Sequence, residues 1–221
     1  MPTNTFFGLP QEKQQRLLDA AKIEFSRASL NEASISNIIK LAEIPRGSFY
    51  QYFENKEDLY YYYFDQLRHD TRQELHKSIQ AADGDLLEGI KSYSSKMIYE
   101  ILTGENSAFF KNLFMNMDYR FSRRMTAQMD GDEKAEKRRH QRHQEDYSLW
   151  DSIDQSQLKV DNQEDFRMLL HMLMTQMFIM IATGYRMQQS DPDFQVMDLI
   201  KKFQTQINWV RDGIYLQKEG E

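Results

Sequence analysis

The sequence predicts an all-α fold of about nine helices, and three observations carry that prediction. Only four prolines and nine glycines interrupt 221 residues, so long segments are free of helix breakers. Apolar residues recur at intervals of three and four, with no sustained strand alternation. Cap and stop signals fall between these segments at helical spacings.

The first helix is expected near Pro10, a residue suited to a first turn, with Leu17, Leu18, Ala21, Phe25 and Ala28 along one face. A polar link, Ser29 to Ala33, leads to Ser34 as an N-cap and to a short helix carrying Ile35, Ile38, Ile39 and Leu41. Pro45 pushes Ile44 out of the α region and favours a new start. A second short helix then fits Arg46 to Phe53, with Phe49 and Phe53 as core. Asn55 can cap a longer helix over about 56–80. Its run Tyr60-Tyr61-Tyr62-Tyr63-Phe64 covers every side, so Tyr60, Tyr63 and Phe64 are expected to pack and Tyr61 and Tyr62 to be partly exposed. Asp83-Gly84-Asp85 breaks the chain, Asp85 and Glu88 have capping-box spacing, and the next helix stops at Thr103-Gly104. Further helices are expected over 106–118, 120–147, 162–188 and 193–217, the last two separated by Ser190-Asp191-Pro192.

Composition excludes several functions. The chain has no cysteine, and therefore no disulfide, thiolate metal site or cysteine nucleophile. Five scattered histidines, no Gly-rich phosphate loop and no nucleophile motif argue against an enzyme, and no cofactor is expected. Met1 to Pro10 does not read as a signal peptide, so a cytoplasmic location is expected. Residues 168–185 lack charge, but they are rich in methionine and contain His171, Gln176 and Gly184. They read as a buried helix, apolar nearly all round, rather than a membrane span. A net charge of -6 means that any nucleic-acid contact must be a local patch.

Two short helices joined by a tight turn and braced by a longer one describe a helix-turn-helix, whose second helix enters the major groove. The segment Ile44-Pro45-Arg46-Gly47-Ser48-Phe49-Tyr50-Gln51-Tyr52-Phe53-Glu54-Asn55-Lys56-Glu57-Asp58-Leu59 resembles the signature of the TetR/AcrR family of transcriptional regulators. Arg16 to Ala21 with Phe25, and Ser34 to Ala42, resemble that family's first two helices. The resemblance implies an N-terminal arm at 1–10, a DNA-binding domain at 11–71 and a C-terminal regulatory and dimerisation domain at 72–221. It implies that Arg46, Gly47, Ser48 and Gln51 face base edges, and that Ser34, Tyr50, Tyr52 and Lys56 hold phosphates. It also implies a homodimer on an operator of double-stranded DNA, released by a small molecule. Residues 1–72 hold nine Lys plus Arg against ten Asp plus Glu, which predicts modest affinity for random DNA.

In the C-terminal body, Leu170, Leu173, Met177, Met180 and Gly184 form one heptad-like seam. Val196, Ile200, Phe203, Ile207, Val210 and Ile214 form another. Both are assigned to a four-helix dimer interface, the alternative being packing inside the protomer. Met97, Met115, Met117, Met125, Met168, Met172 and Met174, with Phe178, are candidate walls of a pocket for an apolar effector, methionine being adaptable. The alternative is that they only fill the core. Glu136, His140 and His143 share a helical face that could ligate a divalent metal, although the run Arg123 to His143 reads first as a solvated surface, and no metal is expected. The competing functions are a DNA-binding regulator without an effector, and a helical enzyme or metal protein.

Overall fold

A computed structural model describes residues 2–67, 71–116 and 149–214, apart from the side chains of Arg72 and Ile214. Ten α-helices and no strand occur among the described residues. They are α1 (Asn4–Phe7), α2 (Gln11–Arg27), α3 (Ile35–Leu41), α4 (Arg46–Tyr52), α5 (Lys56–Leu67), α6 (Thr71–Ala81), α7 (Leu86–Thr103), α8 (Ser107–Met115), α9 (Gln163–Ser190) and α10 (Val196–Ile214). Two short 3-10 turns, Leu149–Ser152 and Gln155–Gln157, precede α9.

The chain forms two compact units. The first is Met1–Thr71 with Thr103–Asn116; the second is Arg72–Leu102 with Met117–Glu221. In the first unit, α2 packs on α3, α5 and α8. Leu17, Ala21 and Phe25 are buried, as their spacing predicts, together with Ile38, Phe49, Phe53 and Leu59. Tyr60 stacks edge-on against Phe25 at 4.9 Å, and Tyr63 against Phe109 at 5.0 Å. Tyr60, Tyr63 and Phe64 are buried, whereas Tyr61 and Tyr62 are half-buried. Burial raises the pKa values of the Tyr60 and Tyr63 hydroxyls. Helix α8 joins this unit because the Asn112 amide donates to the carbonyls of Phe25 and Ser26, at 3.0 and 2.8 Å, closing the C-terminal end of α2.

Helix boundaries follow the expected signals with small offsets. Pro10 and Pro45 each occupy an N-cap rather than a first helical position. Asn55 accepts from the Asp58 N–H, and Asp85 from that of Glu88. The run expected over 56–80 is described as α5 and α6, with 68–70 outside the described residues. The residues read as an arm contain α1, with Phe6 fully buried. The helix expected at 120–147 lies outside the described residues.

In the second unit α9 packs against α10. By length and composition alone α9 could cross a membrane. However, its Tyr185 hydroxyl donates to the Ile101 carbonyl at 2.5 Å, its Gln188 amide to that of Leu102, and its Gln176 to Gln206 of α10. It is the core helix of this unit. It is not buried all round, as the sequence suggested, because Met168, Met172 and Ile179 are exposed. Arg211 near the end of α10 pairs with Glu88 of α7. Glu88 is held below the usual carboxylate range by Lys91, then by Arg211.

The first unit turns on Glu24, a carboxylate only 1% exposed. It accepts from Arg27 at 2.7 Å, from the Ser34 N–H at 2.7 Å and from the Asn37 amide at 3.2 Å. The Arg27 guanidinium, aided by the Ser34 and Asn37 bonds, holds the carboxylate below its ordinary range. A lowered folded-state pKa contributes stability above the usual glutamate range and loses it as pH falls through the folded value. Glu24→Gln should therefore lower the unfolding free energy at pH 7 by about 1–3 kcal/mol, the size of charge-assisted hydrogen bonds. In urea titrations, the gap from the parent protein should narrow at pH 3.

Candidate nucleic-acid interface

The turn between α3 and α4 is closed by the backbone. The Ile44 N–H donates to the Ile39 carbonyl at 3.0 Å, and the Glu43 N–H to that of Lys40 at 3.4 Å. This is a Schellman closure, with Glu43 in the left-handed region at φ 54°. Its carboxylate pairs with Arg16 of α2 at 3.4 Å. Pro45 then ends the turn and α4 begins.

Helix α4 divides cleanly. Phe49 is buried, as is its C-cap Phe53, while Arg46, Gly47, Tyr50 and Gln51 are exposed, and Ser48 and Tyr52 half-buried. A Cβ built on Gly47 would meet nothing within 4 Å. The glycine therefore leaves room outward that the protein itself does not require. Arg46 donates to the Ser36 hydroxyl at 3.2 Å and to the Tyr50 hydroxyl at 3.3 Å, and its guanidinium lies 5.9 Å from the centroid of the Tyr50 ring. These partners are neutral, so its charge is not cancelled locally. The expected competitors, Glu43 and Glu54, do not pair with it among the described residues.

Ser34 stands at the N-cap of α3, but its side chain makes no cap bond; its N–H goes to Glu24 instead. Lys56 is engaged internally, its ammonium donating to the carbonyls of Asn31 at 2.8 Å and Ala33 at 3.0 Å. It ties the α2–α3 link to the start of α5 and has one of its three donors left over. Sequence reasoning missed Glu24, although a glutamate among Ala21, Phe25 and Ala28 on the apolar face was the available signal. It also missed Thr3, whose bonds reach residues 48 or more positions away.

The predicted seams close inside the protomer. Leu173, Met177, Met180, Gly184, Ile200, Phe203 and Ile207 are all buried in the second unit. A Cβ on Gly184 would meet Leu102 at 2.7 Å and Leu199 at 2.8 Å, so its close approach serves this core rather than a partner. Val210 is half-buried and the side chain of Ile214 lies outside the described residues. The seam pattern is real, but it marks the α9–α10 packing face.

The described members of the predicted pocket set differ in burial. Met174 is buried and Met97 and Phe178 half-buried, whereas Met172 and Met168 are exposed, because residues two apart on α9 point to different sides. Met115 is exposed on α8, in the first unit. Met117 and Met125 lie outside the described residues, as do Glu136, His140 and His143.

This arrangement, a helix-turn-helix followed by a helical body, defines a class of DNA-binding regulator, and comparison with known proteins agrees. Residues 17–64 match the model of bacterial regulatory proteins of the tetR family, and residues 85–214 match the tetracyclin repressor-like C-terminal domain. The second match alone takes in more than half of the chain. The chain belongs to the tetR family of bacterial regulatory proteins, whose members are DNA-binding regulators rather than enzymes. A curated relative, the uncharacterized HTH-type transcriptional regulator YdgC of Bacillus subtilis (strain 168), is 43% identical over 49 residues, 22% of this chain and 25% of its own length. The match thus spans about a quarter of that relative. Among solved structures, SmeT, the repressor of the Stenotrophomonas maltophilia multidrug efflux pump SmeDEF, superposes with TM-score 0.58 at 16% identity, covering 97% of this chain and 94% of its own. NalD of Pseudomonas aeruginosa, the secondary repressor of the MexAB-OprM multidrug efflux pump, gives 0.55 at 17% identity, covering 94% and 99%. The Bacillus subtilis regulator FadR in complex with stearoyl-CoA gives 0.51 at 15%, covering 87% and 96%. These likenesses show the fold.

Because Lys56 holds two backbone carbonyls, Lys56→Ala should lower stability by about 1 kcal/mol. Calorimetry should show a fall of a few degrees in the thermal midpoint, without DNA present.

Proposed function

We propose that this protein is a homodimeric, sequence-specific DNA-binding repressor that leaves its operator when a small apolar molecule binds the second unit. One observation carries the DNA reading: the outer face of α4 is exposed, while its inner face is buried in the core. On this reading Arg46 leaves Ser36 and Tyr50 to donate bidentately to a guanine, Gly47 lets the backbone approach the duplex, and Ser48 and Gln51 read neighbouring bases. The Ser34 hydroxyl, the Tyr50 and Tyr52 hydroxyls and the remaining Lys56 donor take phosphates on either side.

Pairing is assigned to the outward face of α9. Met172 and Ile179 are 48% and 49% exposed, and with Met168 they stand at steps of four and seven on one side of that helix. Trp209 of α10 is likewise exposed, at 69%. Effector release rests on the likeness in fold to two efflux-pump repressors and to a regulator that holds stearoyl-CoA. A regulator without an effector would show the same operator binding and no response to apolar molecules.

Selection of bound fragments from a random duplex library tests this directly. Palindromic sites should be enriched, and apolar molecules such as acyl thioesters should release them; enrichment of no sequence would reject the reading. Four variants resolve the parts. Gly47→Ala should leave the thermal midpoint unchanged or slightly raised, since alanine is the better helix former by roughly 0.5–1 kcal/mol, yet weaken operator binding in gel-shift titrations. Arg46→Ala should relax preference at one base pair, costing about 1–3 kcal/mol of discrimination there. In sedimentation experiments Ile179→Glu should yield folded monomer, whereas Ile207→Glu, at a site 1% exposed, should unfold the second unit.

A further inference from the structure

Helix α4 is seven residues long, and a helix that short leaves its last carbonyls without intrahelical partners. Two of them are satisfied from a distant part of the chain. The Thr3 N–H donates to the Tyr52 carbonyl at 2.9 Å, and the Thr3 hydroxyl donates to the Gln51 carbonyl at 2.5 Å. The same hydroxyl accepts from the Phe6 N–H, which makes Thr3 the N-cap of α1. Thr3 is thus a cap for the start of one helix and the end of another.

Phe6 drives the attachment. It is fully buried, with ring centroids 5.0 Å from Phe53 and 5.4 Å from Tyr62, both contacts edge-on. Phe7 adds a second edge contact to Tyr62 at 6.1 Å. Beyond α1, the Gln14 amide donates to the Leu9 carbonyl at 2.9 Å and returns the segment to α2. Residues 3–9 are therefore fixed at both ends and in the middle, and they run from α2 across α5 to the end of α4.

We propose that Thr3–Gly8 is a strap that positions α4 for DNA, with Thr3 as its positioning residue. This rests on the reading of α4 as the DNA-reading helix. The strap bonds α4 at Gln51 and Tyr52, two of the residues assigned to bases and phosphates. Freeing it lets the C-terminal end of α4 fray, so the duplex must reorder those residues on binding and loses affinity in proportion. Contacts at Arg46 remain, so the preference at the base pair it reads does not change. The strap tunes strength, and the choice made at Arg46 is independent of it.

The test uses the full chain with Thr3→Val, which removes the hydroxyl but keeps the shape and the N–H, and Thr3→Ser, which restores the hydroxyl. Hydrogen exchange of the free protein follows the α4 amides, and fluorescence anisotropy at 10 °C, where every variant is folded, follows the selected duplex. In Thr3→Val, exchange should rise at the end of α4 and the Kd should rise about threefold to tenfold, the effect of one net hydrogen bond. Thr3→Ser should restore both, with the same preferred base at the Arg46 position throughout. A lowered thermal midpoint with parental exchange in α4 and a parental Kd would make Thr3 merely structural and overturn the proposal. If the parent discriminates no duplex, it is the DNA reading that fails. The strap is then decided by exchange alone, and unchanged exchange in Thr3→Val overturns it as well.

Discussion

A seven-residue helix has almost no stability of its own in water, and everything in the first unit follows from holding one in place from behind. The means is the buried Glu24 carboxylate. It binds α2 to the start of α3 through Ser34 and Asn37, and it is kept ionised by Arg27. With α3 fixed, the Schellman turn at Glu43 and the extended Pro45 set the direction of α4, and Phe49 and Phe53 anchor it in the aromatic core. This anchoring runs through the inner side of α4, and Arg46, Gly47, Tyr50 and Gln51 stay exposed. A buried charge satisfied by several donors is costly to assemble and costly to disrupt, which suits a joint that has to keep one geometry.

The second unit solves a different problem. Helix α9 carries apolar residues on more than one side, and the core needs only one of them. Tyr185, Gly184 and Met177 face inward toward α7 and α10, while Met172 and Ile179 face outward. On the proposed reading, this exposed apolar stripe is the pairing surface.

Much of this was legible in the sequence. Helix periodicity located α2, α7, α9 and α10, and the caps at Asn55 and Asp85 form as their spacing indicates. The tyrosine run sorted correctly into buried Tyr60 and Tyr63 and half-buried Tyr61 and Tyr62, because helical spacing fixes which sides can pack. The start of α4 was legible from Pro45, and its buried side from Phe49 and Phe53 four residues apart, whereas the base and phosphate roles of its residues came only from the resemblance to the TetR/AcrR family. What periodicity could not supply was the identity of the partner across a seam. Ile200, Phe203 and Ile207 have the spacing of a pairing face, yet they pack within the protomer, since the same 3–4 step serves either use. Methionines chosen by type rather than by angular position scattered for a related reason, Met172 and Met174 being only two residues apart on one helix. Thr3 escaped notice because its bonds to Gln51 and Tyr52 reach a distant part of the chain, and Glu24 because a buried polar residue carries no local pattern beyond its misfit with apolar neighbours.

The central claim is that the outer face of α4 enters a major groove in each of two paired protomers. Methylation interference on a selected operator tests it most directly, because guanine N7 methylation blocks contacts from that groove alone. The account predicts interference at two symmetric clusters separated by about one helical turn or a multiple of it, the spacing a two-fold dimer imposes. A single cluster, or binding indifferent to methylation at every guanine, would contradict it.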